Sequence, residues 1–181
     1  MSEGESIYDD RTNISERAQD AKFGLEQLVF GKRGVLKEGL QGKKRVLDLG
    51  CGKGAVGVAL KQLSPEIEEI VGVDIKRYSS EALQLYSEVH ITEAADFLRK
   101  AAQQGRKFDL IMAWGLPPES VMQVVEEIGK DPKSLLSSGG MAALVCEPIF
   151  RESEEEAISN FGFSVKEAST GTHAIVFLKN E

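Results

Sequence analysis

A glycine-rich segment between two apolar runs constrains this chain more than any other feature. Residues 45–60 read RVLDLGCGKGAVGVAL: a β-branched and leucine-rich run, a turn with three alternate glycines, and a run of small and apolar residues. This order predicts a strand, a tight loop and a helix. Because glycine has no side chain, a ligand can approach the loop backbone, where the first N–H groups of the helix point outward. We therefore expect a nucleotide-like ligand there.

This segment resembles the first motif of the class I S-adenosylmethionine-dependent methyltransferases, which is an acidic residue followed by three alternate glycines. Asp48, Gly50, Gly52 and Gly54 match that motif position by position, and Cys51 lies between the first two glycines. The resemblance implies that these five residues bind S-adenosyl-L-methionine. A carboxylate at Asp48 suits the ammonium group of this cofactor, because opposite charges attract at short range.

The same glycines leave a second class of cofactor open. Gly52, Gly54 and Gly57 also satisfy the dinucleotide-binding pattern Gly-x-Gly-x-x-Gly. Lys76 and Arg77 keep a nicotinamide dinucleotide phosphate as an alternative. An acid before the first glycine would repel a pyrophosphate, however, so the sequence favours S-adenosyl-L-methionine over NAD(P).

A second strand is predicted at residues 69–75, with an acid near its end. The carboxylate of Asp74 can accept both ribose hydroxyls of an adenosine. It lies 20 residues beyond Gly54 (74 − 54 = 20), a separation that both cofactors allow. We assign Asp74 to the ribose and include Ile75, the next residue, among the candidate cofactor contacts.

The third predicted strand, residues 88–92, leads to an acid and a small residue, Glu93 and Ala94. In the resembled family such a pair receives the adenine amino group and meets the adenine ring, which implies that role for these two residues. The family more often has Gly-Asp where this chain has Thr92 and Glu93. Asp96 either substitutes for Glu93 or caps the helix that follows.

The fourth predicted strand, residues 108–114, ends where the family places the reactive methyl group, so Ala113 and Trp114 are candidate site residues. Trp114 either lines the acceptor pocket, facing the cationic sulfonium, or covers the sheet. Methyltransferases that act on amino groups of bases and glutamine carry Asn/Asp-Pro-Pro-Tyr here. This chain has Ala-Trp-Gly-Leu at residues 113–116, which weakens that substrate class.

The last predicted strands, residues 161–167 and 173–178, follow a turn at 135–140, a strand at 141–146 and an acidic helix at 152–160. Residues 168–172 are too short a connection for a parallel pair, so these two strands should form an antiparallel hairpin. The family's sheet ends in the same way. The predicted fold is α/β, a Rossmann-like three-layer sandwich with a seven-stranded, mostly parallel sheet and an antiparallel C-terminal hairpin.

An amphipathic helix is predicted from about residue 13 to residue 30, and a further helix at residues 80–86. In the resembled family, helices before the first motif pack over the cofactor and build part of the acceptor pocket. Tyr8, Phe23 and Phe30 are therefore candidate pocket residues, and the alternative is that they cover the sheet.

The length of 181 residues and the 41% hydrophobic content fit one globular domain. We divide it into an N-terminal helical extension (1–42) and a methyltransferase-like domain (43–181). A net charge of −7 argues against a broad nucleic-acid-binding surface. The acidic N-terminus and the lack of a long apolar run predict a cytoplasmic protein without membrane association. Cys51 and Cys146 have no neighbours at zinc-binding spacing, so no metal is expected.

The resemblance implies methyl transfer from S-adenosyl-L-methionine by in-line displacement. The acidic domain without an added recognition module favours a small-molecule acceptor, and a protein or RNA acceptor stays open. Two other classes also stay open: a subunit that binds the cofactor without turnover, and an NAD(P)-binding oxidoreductase. His90 and His173 are each better explained as structural or surface residues, so no catalytic base is assigned.

Overall fold

The computed structural model describes residues 14–26, 40–146, 152–167 and 174–180. The strands in these ranges are β1 (Arg45–Leu49), β2 (Glu69–Asp74), β3 (Glu88–Ile91), β4 (Phe108–Trp114), β5 (Leu136–Cys146), β6 (Ser164–Glu167) and β7 (Ala174–Lys179). The helices are α1 (Ile14–Gly24), α2 (Ala55–Leu63), α3 (Ala94–Gln103), α4 (Pro118–Lys130), α5 (Pro132–Leu135) and α6 (Glu152–Asn160), with a 3-10 helix at Glu81–Leu85. The described strands form one seven-stranded sheet in the order β3-β2-β1-β4-β5-β7-β6.

The strand directions confirm the predicted sheet. β1 is parallel to β2 and β4, and the outer pairs β2–β3 and β4–β5 are parallel as well. β7 is antiparallel to both of its neighbours, β5 and β6. The strand order reverses between β1 and β4, and in such sheets a crevice opens outside the carboxyl ends of the strands at this point.

Helices cover both faces of the sheet, which confirms the three-layer sandwich. Val46 of β1 faces a core shared with α1 and α2, whereas Leu47 faces a core shared with α3, α4 and α6. Successive side chains of a strand point to opposite faces, so β1 contributes to both cores. The same alternation directs Asp48 toward the side of α1 and α2.

Three segments differ from the sequence-based prediction, and one is the strand predicted at 161–167, which begins only at Ser164. The prediction of a turn at residues 135–140 is wrong, because β5 already begins at Leu136. There Gly139 N–H donates to the Asn180 carbonyl and Asn180 N–H donates to the Gly140 carbonyl, each at 2.9 Å. The predicted helix at 80–86 is a short 3-10 helix. The N-terminal helix is present as α1, and the rest of that prediction lies outside the described residues.

The Tyr86 side chain, just after the 3-10 helix, fills the space left by two glycines. A Cβ placed on Gly57 of α2 would lie 2.5 Å from the Tyr86 ring, and one placed on Gly72 of β2 would lie 2.9 Å from it. The Tyr86 hydroxyl also accepts a hydrogen bond from Gly57 N–H at 3.0 Å. Gly57, the third glycine of the dinucleotide-binding pattern, is thus explained by packing against Tyr86.

We expect the substitution Gly57→Ala to destabilise the protein by about 1–3 kcal/mol, because the added methyl group collides with the Tyr86 ring. Denaturation in urea measures this loss. In a Tyr86→Leu background the same substitution should cost clearly less, since the colliding ring is gone. An equal cost in both backgrounds would contradict the collision.

Candidate functional site

A cavity of about 700 Å³ opens at the carboxyl ends of β1, β2, β3 and β4. Six of the predicted site residues line it: Gly50, Asp74, Ile75, Glu93, Ala94 and Trp114. Its volume lies within the usual range for small-molecule sites. The cavity therefore lies in the crevice that the strand order predicts.

The glycine loop adopts a backbone that favours glycine at each motif position. Gly50, Gly52 and Gly54 have φ values of +75°, +51° and +91°, all in the left-handed region. The N–H groups of Gly50 and Cys51 both donate to the Val73 carbonyl, at 2.8 and 3.1 Å, which ties the loop to β2. The space that a Gly52 side chain would take is open, since the nearest atom to it is the Gly50 carbonyl oxygen, 4.0 Å away.

The Asp74 carboxylate is held in place by backbone donors. Oδ2 accepts from Gly52 N–H and Oδ1 accepts from Lys76 N–H, each at 2.9 Å. A carboxylate oxygen has two acceptor sites, so each oxygen retains capacity for a further hydrogen bond. The carboxylate lies on the cavity wall between the glycine loop and the end of β2.

The far end of the cavity lies between β2 and α3. Ile75 is 60% exposed, which leaves a large apolar side chain on the wall without cover. Glu93 is the N-cap residue of α3, so the alternative in which Asp96 caps this helix is wrong. Asp96 instead pairs with Arg99 at 2.9 Å.

Trp114 and Leu116 close the cavity on the side of β4. The Trp114 ring lies 2.2 Å from where a Cβ on Gly24 of α1 would stand, so Trp114 both lines the cavity and contacts α1. The Leu116 side chain lies 2.8 Å from the corresponding position on Gly50. Only a glycine at position 50 permits this approach, which the sequence analysis did not identify.

Several other cavity residues were also missed by the sequence analysis. They follow β2 or β3, or precede and enter α4, where no motif marks them. They are Tyr78, Thr92, Gly115, Pro117, Ser120 and Gln123.

Five predicted site residues do not line the cavity. Ala113 is fully buried in β4, and Cys51 is buried in the glycine loop. Burial raises the pKa of the Cys51 thiol to about 12, so it is neutral at pH 7. Gly52 and Gly54 shape the loop, and a side chain on Gly54 would press on Ala82 at 3.2 Å. The fifth residue is Asp48.

Asp48 lies behind the glycine loop and is fully buried. Its Oδ2 accepts a hydrogen bond from the Tyr86 hydroxyl at 2.5 Å. Its Oδ1 has no hydrogen-bond partner among the described residues. Burial raises the pKa of Asp48 to about 7, against the opposing effect of the Tyr86 hydrogen bond, and the negative charge of Asp74 adds to the rise.

The remaining candidates lie away from this cavity or outside the described residues. Phe23 is 66% exposed and does not line it. His90 lies 2.7 Å from Glu88 on β3, at a separate cavity. Tyr8, Phe30 and His173 are outside the described residues.

Two kinds of feature are absent from the part of the chain that the structure describes. No group of three or more His, Cys, Asp or Glu residues in it is placed to hold a metal ion. None of its helices combines the length and the apolar character needed to cross a membrane.

Comparison with known proteins agrees with the fold and identifies the family. A model of the methyltransferase small domain family matches residues 21–172. No curated protein matches the sequence.

The structure is similar to several solved methyltransferases. A SAM-dependent methyltransferase from Archaeoglobus fulgidus has a TM-score of 0.60 at 14% identity, covering 94% of this chain and 96% of that one. An Aeropyrum pernix fibrillarin with natively bound S-adenosyl-L-methionine has a TM-score of 0.54 at 18% identity, covering 96% and 84%. A protein-(glutamine-N5) methyltransferase from Alicyclobacillus acidocaldarius has a TM-score of 0.52 at 16% identity, covering 100% and 99%. At these identities the likeness shows the fold.

The family model extends over most of the chain, from within α1 to beyond β6, and includes the glycine loop and all the strand ends that line the cavity. The resemblance inferred from the glycine motif is thereby confirmed, and the cofactor is S-adenosyl-L-methionine, as predicted, and not the alternative NAD(P). The chain belongs to the methyltransferase small domain family and is an S-adenosyl-L-methionine-dependent methyltransferase.

Proposed function

We propose that the protein binds S-adenosyl-L-methionine in the cavity beside the glycine loop and transfers its methyl group to a small-molecule acceptor. The observation that carries this proposal is the Asp74 carboxylate, which two backbone N–H groups hold at the edge of an open, side-chain-free space. The cavity residues divide into those for adenosine and those for the methionine end.

The adenosine half of the cofactor lies along the ends of β2 and β3. The Asp74 carboxylate accepts hydrogen bonds from the ribose hydroxyls, because each of its oxygens has an acceptor site that the backbone N–H groups do not use. The exposed side chain of Ile75 and the Leu116 side chain supply apolar surface for the adenine ring. Glu93 receives the adenine amino group, and the N–H of Ala94 meets the ring.

The methionine half lies against the glycine loop. The methionine part can approach the loop backbone because Gly50, Gly52 and Gly54 have no side chains. The carboxylate of Asp48, behind the loop, provides a negative charge that attracts the ammonium group. Trp114 faces the sulfonium, since an aromatic face attracts a cation within about 6 Å.

The cofactor supplies an already activated methyl group, so the protein chiefly has to align the acceptor and exclude water. Alignment of this kind can supply roughly 7–11 kcal/mol at best. An acceptor that starts protonated would also need a base. No histidine is among the described residues of the cavity wall, and we assign no base.

Two features favour a small acceptor. The chain carries a net charge of −7, which opposes a broad contact with nucleic acid. The segment after β4 also lacks the Asn/Asp-Pro-Pro-Tyr pattern of enzymes that methylate amino groups of bases and glutamine. The similar structures include a fibrillarin pre-rRNA processing protein from Methanococcus jannaschii and a protein-(glutamine-N5) methyltransferase, so the fold by itself leaves the acceptor open.

Binding of S-adenosylhomocysteine, followed by titration calorimetry, tests the cofactor assignment. We expect the wild-type protein to bind it and to show no comparable affinity for NAD(P). Replacing Asp74 by alanine should weaken binding by roughly 10- to 100-fold, because a charged hydrogen-bonding group is lost. Asp131→Ala is the control, since Asp131 is exposed and its side chain makes no capping bond to α5. Unchanged affinity in Asp74→Ala would refute the ribose assignment.

Turnover and acceptor class are tested together with methyl-labelled S-adenosyl-L-methionine. The purified protein is incubated with separate small-molecule, protein and RNA fractions of a cell extract. We expect label to enter the small-molecule fraction. Label in protein or RNA would refute the small acceptor, and cofactor binding without any methyl loss would instead identify a non-catalytic binding subunit.

A further inference from the structure

Tyr86 connects three parts of the molecule behind the glycine loop. Its ring fills the space left by Gly57 and Gly72, and it is buried. Its hydroxyl accepts from Gly57 N–H, in the first turn of α2, and donates to Oδ2 of Asp48 in β1. The hydroxyl therefore has one fixed direction in which to donate, toward the Asp48 carboxylate.

The second oxygen of the Asp48 carboxylate, Oδ1, differs from Oδ2 in its hydrogen bonding. Oδ1 is buried and has no hydrogen-bond partner among the described residues. A buried charged oxygen without a partner is costly, so the carboxylate must take up a proton or receive a hydrogen bond from a ligand or a water molecule. Asp48 lies two residues before Gly50, and Gly50 lines the cavity.

We propose that Tyr86 is a positioning residue for cofactor binding: its hydroxyl holds Oδ2 of Asp48 and leaves Oδ1 to accept from the ammonium group of S-adenosyl-L-methionine, directly or through one water. This inference rests on the proposed function. It adds that cofactor binding favours the ionised form of the Asp48 carboxylate.

The groups facing Asp48 fix the sign of the pH dependence. Tyr86, Cys51 and Asp74 are the titratable groups that act on it. Burial raises the pKa values of Tyr86 and Cys51 well above neutral pH, so both are uncharged. The raised pKa of Asp48, about 7, then places the carboxylate's own titration near neutral pH. The ligand's ammonium group favours the ionised carboxylate, so affinity should rise as the pH rises through this range and level off above it.

Tyr86→Phe tests the role of the hydroxyl while keeping the ring that fills the glycine space. The hydrogen bond from Tyr86 lowers the pKa of Asp48, so its loss should move the midpoint of the affinity–pH profile to higher pH. Near neutral pH we expect this variant to bind S-adenosylhomocysteine about tenfold more weakly than the wild type. Asp48→Asn should bind it weakly and without a midpoint, because an amide does not titrate.

The probes are S-adenosylhomocysteine and 5′-methylthioadenosine, titrated into the full chain from about pH 5.5 to about pH 8.5. 5′-Methylthioadenosine has the adenosine but lacks the ammonium group, so its affinity should be the same in wild type and Tyr86→Phe. The matched control is Ser137→Ala, which removes a hydroxyl that donates to the carboxylate of Asp109. Both residues lie at the amino ends of β4 and β5, away from the cavity at the carboxyl ends. This control should bind both probes like the wild type.

The outcomes separate the inference from the proposed function. A wild-type profile that Tyr86→Phe leaves unchanged overturns the inference and leaves the proposed function intact. If Tyr86→Phe loses affinity for both probes equally, Tyr86 has a merely structural role and the inference is overturned. A shift of the midpoint in the Ser137→Ala control overturns the inference as well. A wild-type protein that binds neither probe overturns the proposed function and the inference with it.

Discussion

The site depends on the attachment of the glycine loop to the end of β2. Three consecutive N–H groups of the loop, from Gly50, Cys51 and Gly52, are held by the Val73 carbonyl and the Asp74 carboxylate. These bonds hold Gly50 and Gly52 in a left-handed backbone that only glycine adopts at low cost. The same bonds orient Asp74 toward the cavity. One set of backbone contacts thus shapes the space for a ligand and also orients the Asp74 carboxylate, which we propose binds the ribose.

The surroundings of the loop divide into an open side and a filled side. On the open side lie the cavity, the exposed Ile75 and the space left by Gly52. On the filled side Tyr86 takes up the space of two other glycines and supports the buried carboxylate of Asp48. The glycines of this chain therefore serve two purposes, since some make room for a ligand and others make room for a supporting side chain.

The sequence predicted those features that follow from local pattern. The central strands are mainly apolar, as a sheet covered on both faces requires, and β4 matches its predicted bounds of residues 108–114. The C-terminal hairpin was predictable because its connection is too short for a crossover. The acids at strand ends were predictable in the same way, since the carboxyl ends of parallel strands meet at one edge.

Features that depend on contacts distant in sequence were not predictable. The start of β5 is set by backbone bonds to Asn180, far along the chain. Leu116 reaches the glycine loop only because Gly50 lacks a side chain, and no pattern around Leu116 marks this contact. The role of Tyr86 requires knowing that Gly57 and Gly72 face the same ring. Asp48 was expected to meet the ligand, and its burial behind the loop became visible only with the fold.

A crystal structure of the protein with S-adenosylhomocysteine tests the central claim most directly. We expect the ribose hydroxyls on the Asp74 carboxylate, the adenine ring against Ile75 and Leu116, and the sulfur directed toward Trp114. A ligand bound elsewhere, or a glycine loop whose open space is filled by the protein's own side chains in the complex, would contradict it.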